Sequence, residues 1–207
     1  MQEAAERSRV EHTIFTQLNT MSENEWQLTG AVTFYESDVD MNQVTIAHNY
    51  CEDALNLVRC NFKIDGLNIN NTFADGFDGD FCKGTIKNSY LHHTGNDGLD
   101  YSGSNIHVDN VILEHIGDKG ISAGEEATVY IVSADISDAE IGVASKDLSE
   151  VTVQSVSLTD VGQGFAAYQK KPEFGGGSIF VSQYTAKDVK QLTISDEQSS
   201  IDFKVED

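Results

Sequence analysis

Between Asp53 and Ala166 the chain repeats itself every 22 residues. The tetrads that start at Asp53, Asp75, Asp97, Lys119, Ile141 and Gln163 each stand one period after the last. Their second place always holds a small residue: Ala54, Gly76, Gly98, Gly120, Gly142 and Gly164. The third place is always apolar: Leu55, Phe77, Leu99, Ile121, Val143 and Phe165. Other columns keep the register, among them Ile64, Ile86 and Val108, then Ile69, Leu91 and Leu113. Asn88 and Asn110 fall where a turn residue would stack on its copy in the next unit. A unit this short cannot bury its own apolar face, so it must stack on its neighbours.

Within each unit, short alternations such as Ile106-His107-Val108 and Val129-Tyr130-Ile131 read as strands of a few residues. Gly, Asn and Asp fill the gaps, and these residues tolerate tight corners with positive φ. The single proline, Pro172, fits a chain whose backbone N–H groups are mostly used in ladders. A leucine-rich repeat has a similar period, but its Leu-x-x-Leu-x-Leu framework is absent and no part of the unit looks helical. The expected fold is therefore all-β: a right-handed parallel β-helix of about eight coils in one domain over residues 1–207. Residues 1–28 are expected to form an irregular cap or coil, 29–185 the regular coils, and 186–207 a final coil or cap. Gln2–Arg9 reads as a short capping helix or as residues appended to the fold, and Lys170–Gly177 as a loop inserted between strands.

The 13 Lys and Arg against 34 Asp and Glu give a net charge of −21. So acidic a surface repels nucleic acid and anionic lipid and draws in cations. No run of 18 apolar residues is present, which leaves no helical membrane span, and the charged start lacks an apolar signal-peptide core. Cys60 and Cys82 lie one period apart, at a Cα separation that a disulfide can bridge, with Cys51 just outside their column. Stacked side chains point the same way, which favours a reduced ladder, and three cysteines are too few for a disulfide framework.

Five phrases carry a resemblance: Glu52–Asn56 (EDALN), Gly95–Ser104 (GNDGLDYSGS), Gly117–Ser122 (GDKGIS), Ile141–Ser149 (IGVASKDLS) and Ala166–Gly175 (AAYQKKPEFG). The stretch from about Thr29 to Gly175 resembles pectate-lyase-type β-helices. It is similar above all to β-helix modules in the C-terminal parts of secreted bacterial proteins, some of which carry a CotH-like kinase domain. The resemblance implies the β-helix fold, an extracellular or cell-surface location and a larger parent protein. It implies no particular activity.

The chemistry-bearing columns follow the same tetrads. If the third position points inward, alternation sends the fourth and sixth outward, stacking Asp78 on Asp100 with Asp80 beside them. Asp53, Asp75 and Asp97 line the preceding corner. Two carboxylates about 5 Å apart repel by roughly 1 kcal/mol even in water. A bound cation, shared protons or a lysine should relieve that, and Lys119, Lys146, Lys170 and Lys171 lie in later coils. Asp75, Asp78, Asp80, Asp97 and Asp100 are thus candidate Ca²⁺ ligands, because Ca²⁺ takes several hard oxygen donors. Equally, corner aspartates bond backbone and sit in water. His93 and His115 should stack beside His92 and Glu114, as possible Zn²⁺ ligands or as a plain polar face.

Two functional classes remain, besides a purely structural spacer or adhesive stalk that differs from the first only in lacking a ligand. One is a non-catalytic extracellular scaffold that binds carbohydrate or a protein partner, with Ca²⁺ on its aspartate face. The other is a polysaccharide lyase, epimerase or hydrolase using Asp78, Asp80, Asp100 and Lys119 as acid/base residues. A lyase that handles polyanions needs basic residues or metal, and Arg59 is the one arginine beyond the N-terminal segment.

Overall fold

A computed structural model describes residues 6–24 and 26–204, with Trp26 described by its backbone alone. The described residues form strands and no helix. Seventeen strands join one parallel sheet that winds upon itself, and two more form a separate antiparallel hairpin. The fold is a parallel β-solenoid of about eight turns.

Each turn has three faces. The first face starts with β1 (Ser8–Glu11), and the second with β2 (Ile14–Thr16). The hairpin β3 (Met21–Glu23) and β4 (Trp26–Leu28) follows, and then β5 (Gly30–Tyr35) opens the third face. Onward come β6 (Val39–Ala47), β7 (Asp53–Val58), β8 (Asn61–Asn70), β9 (Asp75–Asp80), β10 (Lys83–Thr94) and β11 (Leu99–Ser102); β6, β8 and β10 round the corner from the first face to the second, whereas β7, β9 and β11 stay on the third. Then come β12 (Asn105–Gly124), β13 (Thr128–Ile131), β14 (Ala134–Lys146), β15 (Glu150–Val153), β16 (Val156–Tyr168), β17 (Ser178–Val181), β18 (Tyr184–Ser195) and β19 (Ser200–Phe203). The register confirms the repeat: Asp78 pairs with Asp100 and Asp100 with Ser122, while Ile64 pairs with Ile86 and Ile86 with Val108.

The physical basis of the columns is direct. Leu55, Phe77, Leu99, Ile121, Val143 and Phe165 are fully buried along the solenoid axis. A Cβ added at Gly76 would stand 2.6 Å from the carbonyl oxygen of Gly98, and one at Gly120 2.8 Å from that of Gly142. Successive coils approach too closely there for a side chain, which fixes glycine at these positions, while the first tetrad accommodates the methyl group of the buried Ala54. The corners are left-handed. Asn71, His93, His115, Asp138 and Asp160 have φ between 52° and 56° and form one corner column. Asn88 and Asn110 form part of another, with Asn110 Nδ2 donating to Asn88 Oδ1 at 2.8 Å.

Some expectations need correction. Ser8–Glu11 is not part of a capping helix, because it pairs in parallel with Val39–Asn42; residues 1–5 lie outside the described residues. The early turn is long because the hairpin leaves the solenoid between the second and third faces. The 170–177 segment is the expected loop, between β16 and β17.

All three cysteines are free and buried. Cys60 and Cys82 belong to a hydrogen-bonding column that serine continues. The Cys60 N–H donates to Cys82 Sγ (3.4 Å), the Cys82 N–H to Ser104 Oγ (2.8 Å), and the Ala127 N–H to Ser149 Oγ (3.1 Å).

Candidate functional site

The third face carries an open groove of about 400 Å³ across the rungs of β7, β9 and β11. Asp53, Asp75, Asp78, Asp80 and Asp100 line it, with Glu52, Asn56 and Ser102. Alternation along β9 turns Phe77 inward and leaves Asp78 and Asp80 partly exposed, as the sequence pattern predicts. Asn56 Nδ2 donates to Asp78 Oδ2 at 2.8 Å from one rung below.

Crowding sets the protonation of these groups. Burial, followed by the charges of Asp80, Asp53, Asp100 and Asp75, pushes the Asp78 carboxyl up to about 9. Burial raises Asp53 to about 7 against a hydrogen bond from Thr29, and Asp97 to about 6. It also raises Asp75 and Asp80. Shared protons are therefore one of the ways in which this row relieves its repulsion.

Two of the candidate residues have structural duties. Asp75 Oδ1 accepts the Asp97 N–H at 2.8 Å, and Asp97 Oδ1 accepts the Lys119 N–H at 3.0 Å. Each corner carboxylate thus caps the backbone of the next coil. Lys119 lies buried against Asp97, with Nζ 3.2 Å from Oδ1, and also bonds Asp118. Burial opposes its charge, but Asp97 and Asp118 outweigh that and hold the ammonium protonated above the ordinary lysine range. The same contacts place a positive charge beside the carboxyl groups of the corner column.

At the end of the groove, Lys146 reaches back over Gly124 to Asp100, with Nζ 3.7 Å from Oδ1. The expectation that later lysines extend the row holds for Lys119 and Lys146, whereas Lys171 turns to Glu125. The direct Lys146–Asp100 approach was not legible in the pattern. The signal was the sixth column, Asp80, Ser102, Gly124, Lys146, in which Gly124 leaves a rung without a side chain.

Among the described residues, no group of three or more His, Cys, Asp or Glu is arranged to hold a metal ion. The groove carboxylates line a trough and do not converge on one point. The histidines do stack, with the rings of His93 and His115 4.6 Å apart, but His115 Nδ1 meets Asp138 Oδ2 at 2.6 Å and His92 Nδ1 meets His93 Nδ1 at 2.9 Å. They sit at and beside a left-handed corner.

The fold and this groove define the class of protein: a parallel β-solenoid with an acidic trough on one face. Comparisons with protein-family models, curated proteins and solved structures find no match.

Proposed function

We propose that this protein is a non-catalytic β-helix module that binds glycan in the acidic groove of its third face. The supporting observation is an open trough lined by five aspartates, in which burial and its neighbours' charges push the Asp78 carboxyl up to about 9. A partly protonated row offers donors as well as acceptors to sugar hydroxyls, whereas a fully ionised row offers acceptors alone. Ca²⁺ is proposed as a second ligand of the same carboxylates. Its binding would displace protons and draw the side chains together, and so would strengthen as pH rises. An extracellular or cell-surface location, a larger secreted bacterial parent, and the pectate-lyase-like and CotH-associated kinship belong to the same proposal and rest on sequence resemblance. A protein partner in place of glycan is the remaining form of this reading.

The test is a glycan array followed by titration, run beside thermal unfolding in EDTA, in millimolar Ca²⁺ and in Mg²⁺. Asp78→Asn, which imitates the protonated acid, should keep most of the affinity. Asp78→Ala should lose about tenfold. Failure of every glycan to bind would sink the glycan form of the reading. A Ca²⁺-specific rise in Tm, larger than with Mg²⁺, supports the cation.

Hydrolysis is the second reading, favoured by one observation: proton-bearing Asp78 stands one rung from Asp100, which is ion-paired to Lys146. An acid beside a carboxylate is the pair that glycoside hydrolysis uses. Release of reducing ends from a bound glycan, abolished in Asp78→Asn, would establish it. An ultraviolet-absorbing unsaturated product would instead indicate a lyase.

A further inference from the structure

Lys119 and Lys146 stand on neighbouring coils, both buried and both directed at an aspartate, yet they are satisfied differently. Lys119 Nζ meets Asp97 Oδ1 at 3.2 Å, Asp97 Oδ2 at 3.5 Å and Asp118. The Lys146 side chain is 5% exposed, and among the described residues its ammonium makes no hydrogen bond; its one partner is Asp100 Oδ1 at 3.7 Å. That oxygen is itself buried and without a hydrogen bond. The next residue in the column, Ser122, is fully buried, and its Oγ has no partner either. A buried ion pair offsets its desolvation only when further hydrogen bonds complete it. Of these three groups Asp100 lines the groove and Lys146 and Ser122 lie buried behind it, so a group that enters at Asp100 can complete them.

We propose that Lys146 and Asp100, with Ser122 beside them, form a subsite that anchors one hydroxyl of a neutral sugar residue. This rests on reading the groove as a glycan site, and it names the class of glycan. An oxygen that bridges the pair must accept from the lysine ammonium and donate to the aspartate carboxylate. A hydroxyl does both. A uronate carboxylate can only accept, and it would face Asp100 and Asp80 as like charges. An amino-sugar ammonium can only donate, and it would face Lys146. Asp100 keeps a quarter of its side chain exposed, and its terminal torsion is a soft two-fold rotor, so its buried oxygen can turn to the groove.

The experiment measures affinity for a panel of neutral glycans, uronans and deacetylated amino-glycans, using the full chain and its Lys146→Met and Ser122→Ala variants. Lys87→Met, on another face, serves as control. Neutral glycans should bind best. Ser122→Ala removes an unpartnered hydroxyl, so its Tm should hold while affinity for neutral glycan falls about 3–10-fold. Lys146→Met should lose more than about tenfold, and Lys87→Met should lose nothing. If Lys146→Met fails to fold, Ser122→Ala still decides. Preference for uronans or amino-glycans, or unchanged affinity in both groove variants, overturns the anchor and leaves the groove reading standing. No binding to any class overturns both.

Discussion

Asp78 sits on an outward column yet behaves as a half-buried acid, because four other aspartates share its trough. Its carboxyl binds a proton up to about pH 9 in the folded chain and only to about 4 when unfolded. Between those values the folded state holds the extra proton, so stability from this group is full below pH 4 and falls as pH rises towards 9. Asp97 and Asp53 add losses that are complete near pH 6 and 7. Asp78→Asn carries no charge to ionise. It should match the parent in urea unfolding at pH 4 and exceed it at pH 8, by on the order of 2 kcal/mol. Equal stability at pH 8 would show that Asp78 ionises as an ordinary surface carboxylate. The outward placing of Asp78, Asp80 and Asp100 was legible from alternation alone. The protonation was not, because it depends on how deeply the trough is walled.

The stacked columns are what the sequence made plainest, since a fixed period with a small residue in second place leaves little choice of fold. The early turn was less legible, because a hairpin outside the solenoid breaks the spacing. Of the thiol and hydroxyl column only the Cys60–Cys82 step is legible, for another reason: cysteine and serine look unlike in sequence but do the same work, accepting an N–H from the coil before. Cys82→Ser should therefore cost little, since Ser104 and Ser149 already fill the equivalent place. Cys82→Ala leaves the buried Cys60 N–H unpaired and should cost about 1–3 kcal/mol. Chemical denaturation of the two variants under reducing conditions separates these outcomes.

Across the whole molecule, a net charge of −21 on stacked coils sets carboxylates above one another along the axis. Raising NaCl from about 20 mM to 200 mM shortens the Debye length from roughly 20 Å to 7 Å. Tm should rise with it, and a flat response would mean that the charges are already neutralised by local pairing. Most contacts in a solenoid join adjacent coils, so such chains can peel from an end one coil at a time. Two links here skip a coil: Lys146 to Asp100, and Lys171 to Glu125. They act as rivets across the stack. Pulled from its C-terminal end in a force experiment, the chain should release β18 and β19 readily and then resist. The rivets fasten the coils of β16 and β14 to those before them, so these should yield at higher force. With Lys146→Met and Lys171→Met together, that resisting step should shrink towards a uniform unspooling.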